Sequence, residues 1–333
     1  MGAVRYSELI ARFGSVAQAL DDPQFSAADV ARARAEADAA LVRAEICGAL
    51  VLGLATGDSN YPDALRQLND PPPVLFARGT LDAIAPPAAA IVGTRRATPY
   101  GERVTRDLAA ALARAGVAVL SGLARGIDST AHRAALAAGG RTAAVLGTGV
   151  DLVYPASHRA LQAEIAARGL ILTEELPGDR ASAGSFPKRN RILAALAQVT
   201  FVVEAPRQSG ALITAGHALE LGRTVAAVPG PIDAPASAGS NLLLRDGAVV
   251  IAEVDDALAL FGLSRPPCPR APQFASDAER AVWAALDAAA ASLDELCAQT
   301  SLPARECIAA VSALEIAGAL ECALTGEIRR RRR

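Results

Sequence analysis

The apolar positions of this chain change character twice. Up to about Ile46 they recur at helical intervals: "YSELIARFGSVAQAL" is interrupted by Gly14, while "SAADVARARAEADAALVRAEI" starts at Ser26, a residue suited to capping, and continues without a breaker. From residue 47 to 263, short apolar runs alternate with alanine-rich helical stretches. AAIVG (ending Gly93), VAVLSG (ending Gly122), TAAVLG (ending Gly147), LILTEE, TFVVEA (ending Ala205), TVAAVPG (ending Gly230) and VVIAE read as strands. GERVTRDLAAALARAG, STAHRAALAAG, ASHRALQAEIAARG, RNRILAALAQ and ALITAGHALELG read as the helices between them. Nearly continuous apolar strands separated by helices suit a parallel sheet covered on both faces. The predicted fold class is therefore α/β: a Rossmann-like, doubly wound, mostly parallel sheet.

The second change comes at "SRPPCPRAP", where Pro266, Pro267, Pro269 and Pro272 can neither continue a helix nor join a central strand. Residues 264–274 read as a linker. Residues 275–333 read as three helices and a short strand pair, with a helix-turn-helix arrangement at "TSLPAR". A helix that reads DNA shows Arg, Lys, Asn or Gln outward. The third helix here, from Pro303 to Gly318, offers Arg305 against Glu306 and Glu315, which predicts a protein-contact or regulatory module. Arg329 to Arg333 read either as a disordered tail or as a nonspecific phosphate tether. The predicted division is a helical region 1–46, a sheet domain 47–263, the linker and the C-terminal module.

Composition narrows this picture. Of 333 residues 52% are hydrophobic but only 4% aromatic, so a sizeable core has to be built from Ala, Leu, Val and Ile. No run of about 18 apolar residues suggests a membrane span, and "MGAVRYSELIARFG" lacks the apolar stretch of a signal peptide. The five cysteines are widely spaced, without Cys-x-x-Cys, and fit neither zinc ligation nor a disulfide framework. A cytoplasmic protein without metal or cofactor is expected. The net charge of −2 hides an asymmetry: residues 86–150 carry 8 basic and 3 acidic side chains, an excess of +5, while residues 1–85 carry 7 and 11. A polyanion would thus be held by a patch.

The patch falls where doubly wound sheets bind ligands, beyond the carboxyl ends of the strands. AAIVG leads into Gly93, Thr94, Arg95 and Arg96; VAVLSG closes with Ser121 and Gly122 and leads into Arg125, Gly126 and Asp128. TFVVEA leads through Arg207 and Gln208 to Ser209, Gly210 and a helix containing Thr214. Glycines admit a close ligand, helix N-termini present N–H groups and arginines add forked donors, which together describe an anion site. In "SFPKRNRILAALAQ", Lys188 is the sole lysine of the chain, with Arg189 and Arg191 beside it and Asn190 placed to cap a helix starting near Arg191. Cations at a helix N-terminus are unfavourable without an anion, so an anion partner is expected, with Arg95, Lys188 and Arg191 as phosphate contacts. Phe186 either stacks on a base or packs into the core. Asp128 is read as capping a helix, and His132, His158 and His217 as packed or locally bonded. No Gly-x-Gly-x-x-Gly or Walker loop is present.

In order along the chain, "IVGTRRATPYG", "VLSGLARGIDSTAH", "LGTGVDLVYPASH", "FPKRNRILAAL", "VVEAPRQSGALITA", "GRTVAAVPGPID" and "SAGSNLLLRDGA" closely resemble the DNA-processing protein A family (DprA, also called Smf) from about Ala90 to Leu263. The resemblance implies an N-terminal helical region of SAM-like type and a C-terminal winged-helix domain. It also implies a nonenzymatic protein that binds single-stranded DNA, protects incoming strands and loads the RecA recombinase during natural transformation, as a homodimer and away from membranes. Its motifs fall on Gly93, Thr94 and Arg95, on Ser121, Gly122, Ala124, Gly126 and Asp128, and on Phe186, Pro187, Arg189, Asn190 and Arg191. One departure is Ala211, where the family has a serine. The competing reading is an enzyme on nucleotides, since related sheets occur in nucleoside-monophosphate phosphoribohydrolases. Glu204 is the only acid near the corresponding strand end. A purely structural adaptor would leave the cationic strand ends without a purpose.

Overall fold

A computed structural model describes the chain except for residues 1–7, 11, 23, 55–57, 183, 265–273, 287–290, 318, 323–326 and 331–333. Two compact units make it up, Met1–Arg265 and Pro266–Arg333. The proline-rich linker and Arg331 to Arg333 lie outside the described residues.

In the first unit, α1 (Val16–Leu20) and α2 (Ala27–Ile46) come first. Ser26 caps α2, its Oγ accepting from Asp29 N at 3.1 Å. Two strands absent from the sequence reading follow, β1 (Leu50–Gly53) and β2 (Val74–Gly79), separated by the one-turn α3 (Asp63–Arg66). The seven apolar runs then form β3 (Ala88–Val92), β4 (Ala118–Ser121), β5 (Thr142–Val145), β6 (Leu170–Thr173), β7 (Val199–Val202), β8 (Thr224–Ala227) and β9 (Val249–Val250). Between them run α4 (Pro99–Arg114), α5 (Ile127–Ala137), α6 (Arg159–Arg168), α7 (Ser185–Leu196), α8 (Gly210–Glu220), α9 (Ala238–Arg245) and, last, α10 (Val254–Ala259).

Among the described residues the sheet order is β1-β2-β6-β5-β4-β3-β7-β8-β9. Pairings from β6 through β9 are parallel, while β1–β2 and β2–β6 are antiparallel. Strand periodicity sorts the side chains between two apolar layers. Ala88, Ala90 and Val92 of β3 pack with Ile192 and Leu193 of α7 and Ala211 and Ala215 of α8. Ala89 and Ile91 pack with Leu108 and Leu112 of α4 and Ala131 and Ala135 of α5. A third cluster sets Ile165 of α6 and Ala44 of α2 against Phe76, Ala144 and Ile171. Both faces are covered, and this is why the strands are apolar on both sides. The stretch Leu258 to Leu263 packs back onto the α4–α5 layer.

The second unit contains α11 (Asp277–Ala285), α12 (Leu293–Thr300) and α13 (Ala304–Ile316), then β10 (Leu320–Cys322) paired antiparallel with β11 (Ile328–Arg330). Its core holds Val282, Leu296, Cys307, Leu314 and Ile328. This corrects the reading of Arg329 and Arg330 as a tail: both belong to β11. Arg330 lies 4.2 Å from the centre of the Trp283 ring and Arg329 pairs with Glu321. No helix among the described residues is long and apolar enough to cross a membrane.

Candidate functional site

After β3 the chain builds β4, β5 and β6 to one side, then returns to lay β7 against the other edge of β3. That reversal leaves a crevice beyond the carboxyl ends of β3 and β7, the place where open α/β sheets hold ligands. A cavity of about 620 Å³ occupies it, within the range of small-molecule and cofactor sites. The loop after β3 contributes Gly93, Thr94, Arg95 and Arg96 to its wall; the loop after β7 and the first turns of α8 contribute Gln208, Ser209, Gly210 and Thr214; α7 contributes Phe186, Arg189 and Asn190. Arg95 and Arg96 are exposed to solvent. The start of an 11-residue helix, α8, faces the same space, so a helix-dipole end and two exposed guanidinium groups converge on it. Ser209 caps that helix, its Oγ accepting from Ala211 N at 3.3 Å.

The loops hold their shape through buried polar contacts. Thr94 N donates to Glu204 O at 2.7 Å, tying the β3 loop to the end of β7. Gly126 has φ of +74°, and a Cβ there would collide with Thr94 O, so only glycine lets these two loops meet. Asp128 does not cap a helix as read from the sequence. It is the second residue of α5, and its Oδ2 accepts from Gly122 N and Ala124 N of the preceding loop at 3.1 and 3.3 Å. Burial raises the pKa of its carboxyl, opposed by the neighbouring Arg189 guanidinium and those N–H bonds.

The Lys-Arg-Asn-Arg island differs most from its sequence reading. The helix begins at Ser185 rather than near Arg191, and Asn190 is no cap: its side-chain amide donates to Gly210 O at 3.2 Å. All three cations therefore sit inside the first two turns, pointing different ways. Arg189 is buried and donates to Gly122 O at 2.8 Å, to Val145 O and to Asn190 Oδ1, so it ties together the ends of β4 and β5 while lining the cavity. Arg191 is buried away from it, bonded to Asp70 at 2.7 Å and Glu174 at 2.8 Å. Lys188 is half-exposed and pairs with Glu174 at 3.2 Å and Glu175 at 3.8 Å. Carboxylates from outside the island, Glu174 and Glu175 at the end of β6 and Asp70 far upstream, already neutralise the expected phosphate contacts Lys188 and Arg191.

Of the other expected residues, Gly122 and Arg125 line a smaller adjoining cavity that shares Arg95, Arg96, Phe186 and Arg189 with the first. Ser121, Gly126, Lys188 and Arg191 line neither. Ser121 is fully buried, its Oγ donating to Ile91 O at 2.6 Å. Gln208, named in the strand-end run, lines the larger cavity, while the sequence reading passed over Ile213 and Tyr154, although each stands inside a motif it quoted.

Two further groups are occupied structurally. Glu204 is buried, accepting from Thr98 N at 3.0 Å and Thr98 Oγ1 at 2.5 Å, where it holds the residue that caps α4. His132 is buried, with Nδ1 2.8 Å from Thr142 Oγ1. That hydroxyl already donates to Val119 O, so Nδ1 carries the imidazole proton and Nε2 is bare. Burial, with Arg189 and His158 nearby, pulls the His132 pKa down to about 3. His158 Nδ1 lies 3.0 Å from Leu123 O, and His217 Nδ1 lies 3.2 Å from Glu220. No group of three His, Cys, Asp or Glu suited to a metal occurs among the described residues.

Together these features define a class: doubly wound α/β proteins with a cationic crevice at the topological switch point, followed in sequence by a winged helix. The chain belongs to the DNA processing protein A family, DprA or Smf. The model of the DNA recombination-mediator protein A family matches residues 53–262, and that of the DprA winged helix domain matches residues 266–323. A relative bearing the DprA name in Mycobacterium tuberculosis is 47% identical over 266 residues, 77% of this chain and 68% of that protein. Protein Smf of Escherichia coli is 37% identical over 282 residues, 82% of this chain and 75% of that one. The X-ray structure of DprA from Streptococcus pneumoniae superposes with a TM-score of 0.61 at 39% identity, over 63% of this chain and 74% of that one. A DprA structure from Helicobacter pylori, described for its single-stranded DNA binding mode, superposes with a TM-score of 0.58 at 33% identity, over 65% of this chain and 97% of that one.

Proposed function

We propose that this protein binds single-stranded DNA by its phosphate backbone, without reading sequence, protects incoming strands and passes them to the RecA recombinase, making and breaking no bond. The observation that carries this reading is the cavity at the switch point, where Arg95, Arg96 and the start of α8 converge. Phe186, half-buried on its rim with the Arg95 guanidinium 5.3 Å from its ring centre, supplies a stacking face. The winged helix serves protein contact or regulation, and two copies of the chain act together in the cytoplasm.

A titration of oligothymidylate against duplex of equal length, at two salt concentrations, tests the reading. Single strands should bind more tightly, with an affinity that falls as salt rises. Equal binding of duplex, or no response to salt, would overturn it. The hydrolase reading needs a disengaged acid at the cavity; Glu204 is bonded to Thr98, and Asp128, which lines the cavity, is occupied by Gly122 N and Ala124 N. Release of adenine from AMP on incubation with the protein would restore that reading and remove this one.

A further inference from the structure

Four cysteines among the described residues are free thiols: Cys47, Cys297, Cys307 and Cys322. Two of them meet in the second unit. Cys307 stands in the first turn of α13, on the stripe with Ala310, Val311 and Leu314, and its side chain is wholly buried. Cys297, about one turn before the end of α12, packs against the same core while remaining partly open to solvent. The two thiols are hydrogen-bond partners, and burial, followed by that contact, pushes the Cys307 pKa up to about 11. Cys322 bonds to Glu315 instead, and Cys47 donates to Ala44 O at 3.3 Å in the first unit. Cys307 follows Cys297 by ten positions, a spacing that conceals the pair in the sequence. Between them the chain turns at Ser301, a residue with a Cβ and a φ of +57°, and at Pro303. Such a φ costs free energy, so the turn is held by the packing of the helices on either side.

Two thiols in contact, one accessible and one enclosed, are arranged for a stepwise oxidation. We propose that Cys297 and Cys307 form a modification site, a dithiol that a peroxide converts to a disulfide pinning α12 to α13. The Cys297 thiolate attacks a peroxide oxygen, the O–O bond breaks, and the departing hydroxide takes a proton from solvent to become water. Cys297 is left as a sulfenic acid. The Cys307 sulfur then attacks the Cys297 sulfur, the S–O bond breaks, and hydroxide leaves with the Cys307 proton as a second water. The two thiols together lose two electrons, and one peroxide is reduced. Cys297 reacts first because a thiol kept protonated by burial is a poor nucleophile. In a reducing compartment such a bond is transient, as a switch requires. Once closed, it spans the Ser301–Pro303 turn and fixes the direction of α13, whose exposed side carries Ile308 and Ile316.

The full chain carrying Cys47→Ser, Cys268→Ser and Cys322→Ser keeps this pair alone. After hydrogen peroxide it should lose both thiols, yield a peptide joining Cys297 to Cys307 in a nonreducing digest, and recover both thiols with dithiothreitol. Oxidation should also raise the melting temperature of the second unit by about 10 °C, as expected of a cross-link that fits the folded geometry. Adding Cys297→Ser should leave Cys307 a thiol at the same dose. Adding Cys307→Ala instead should leave Cys297 as a sulfenic acid that dimedone traps. The substitution at Cys297 is partly exposed and carries the test even if the one in the core unfolds the unit. Survival of both thiols at a dose that oxidises free cysteine would overturn the proposal. So would oxidation of Cys297 to sulfinic acid with Cys307 still reduced, disulfides formed only between chains, or a lower melting temperature after oxidation.

Discussion

Two arginines of one sequence island and one neighbouring loop have opposite duties. Arg95 is exposed on the cavity wall, and Arg95→Ala should lower single-strand affinity and reduce the slope of log affinity against log salt by about one, at unchanged melting temperature. Arg191 is buried between Asp70 and Glu174. Arg191→Ala would take from the buried Glu174 carboxylate its buried partner, leaving it the half-exposed Lys188, and should cost about 3 kcal/mol in urea unfolding, a loss of fold rather than of a phosphate contact. The sequence displayed the cations but not their partners, because Asp70 is 121 residues away along the chain. His132 supplies a pH test. Its folded pKa is depressed to about 3, so between that value and about 6.5 the unfolded chain takes up a proton that the folded chain refuses. Stability is complete above the unfolded pKa and falls with pH across that window, on the order of 1 kcal/mol per pH unit. Melting scans from pH 7 to pH 4 should be flatter for His132→Asn than for the parent.

At the scale of elements, β3 to β8 were legible because burial on both faces leaves them almost no polar side, and the exposed edge strand β9 was legible from its β-branched run VVI. β1 and β2 were not, since β2 joins antiparallel to β6 and β1 to β2, and their sequences, LVLG and a run following three prolines, carry no long pattern of their own. Helix starts were likewise hidden where a distant residue decides them. α4 begins two residues before its glycine, at Pro99, because Thr98 caps it and Glu204 holds Thr98 in turn. Thr98→Ala should therefore cost more than an isolated cap, about 2 kcal/mol, read by urea unfolding. α7 shows the same dependence: its first turn carries Phe186 toward the cavities only because the helix starts at Ser185, ahead of the cationic cluster.

At the scale of the molecule, each unit owns its apolar core, three clusters in the first and one in the second. Removing residues 265–333 should leave a cooperatively folding protein with most of its single-strand affinity, measured by anisotropy beside the full chain; a collapse of binding would move the DNA site to the second unit. The location of the cavity was legible from strand ends alone, whereas its membership depended on which side chains were already engaged. The strand order has a consequence for how the protein comes into being. Ala89 pairs with Val199, 110 residues later, so the central strand remains half-unpaired until β7 has been synthesised. Such remote pairing is slow to form. Nascent chains halted before residue 199 should leave β3 open to protease, and the ability to hold a ligand should arrive late and abruptly, once α8 has emerged from the ribosome.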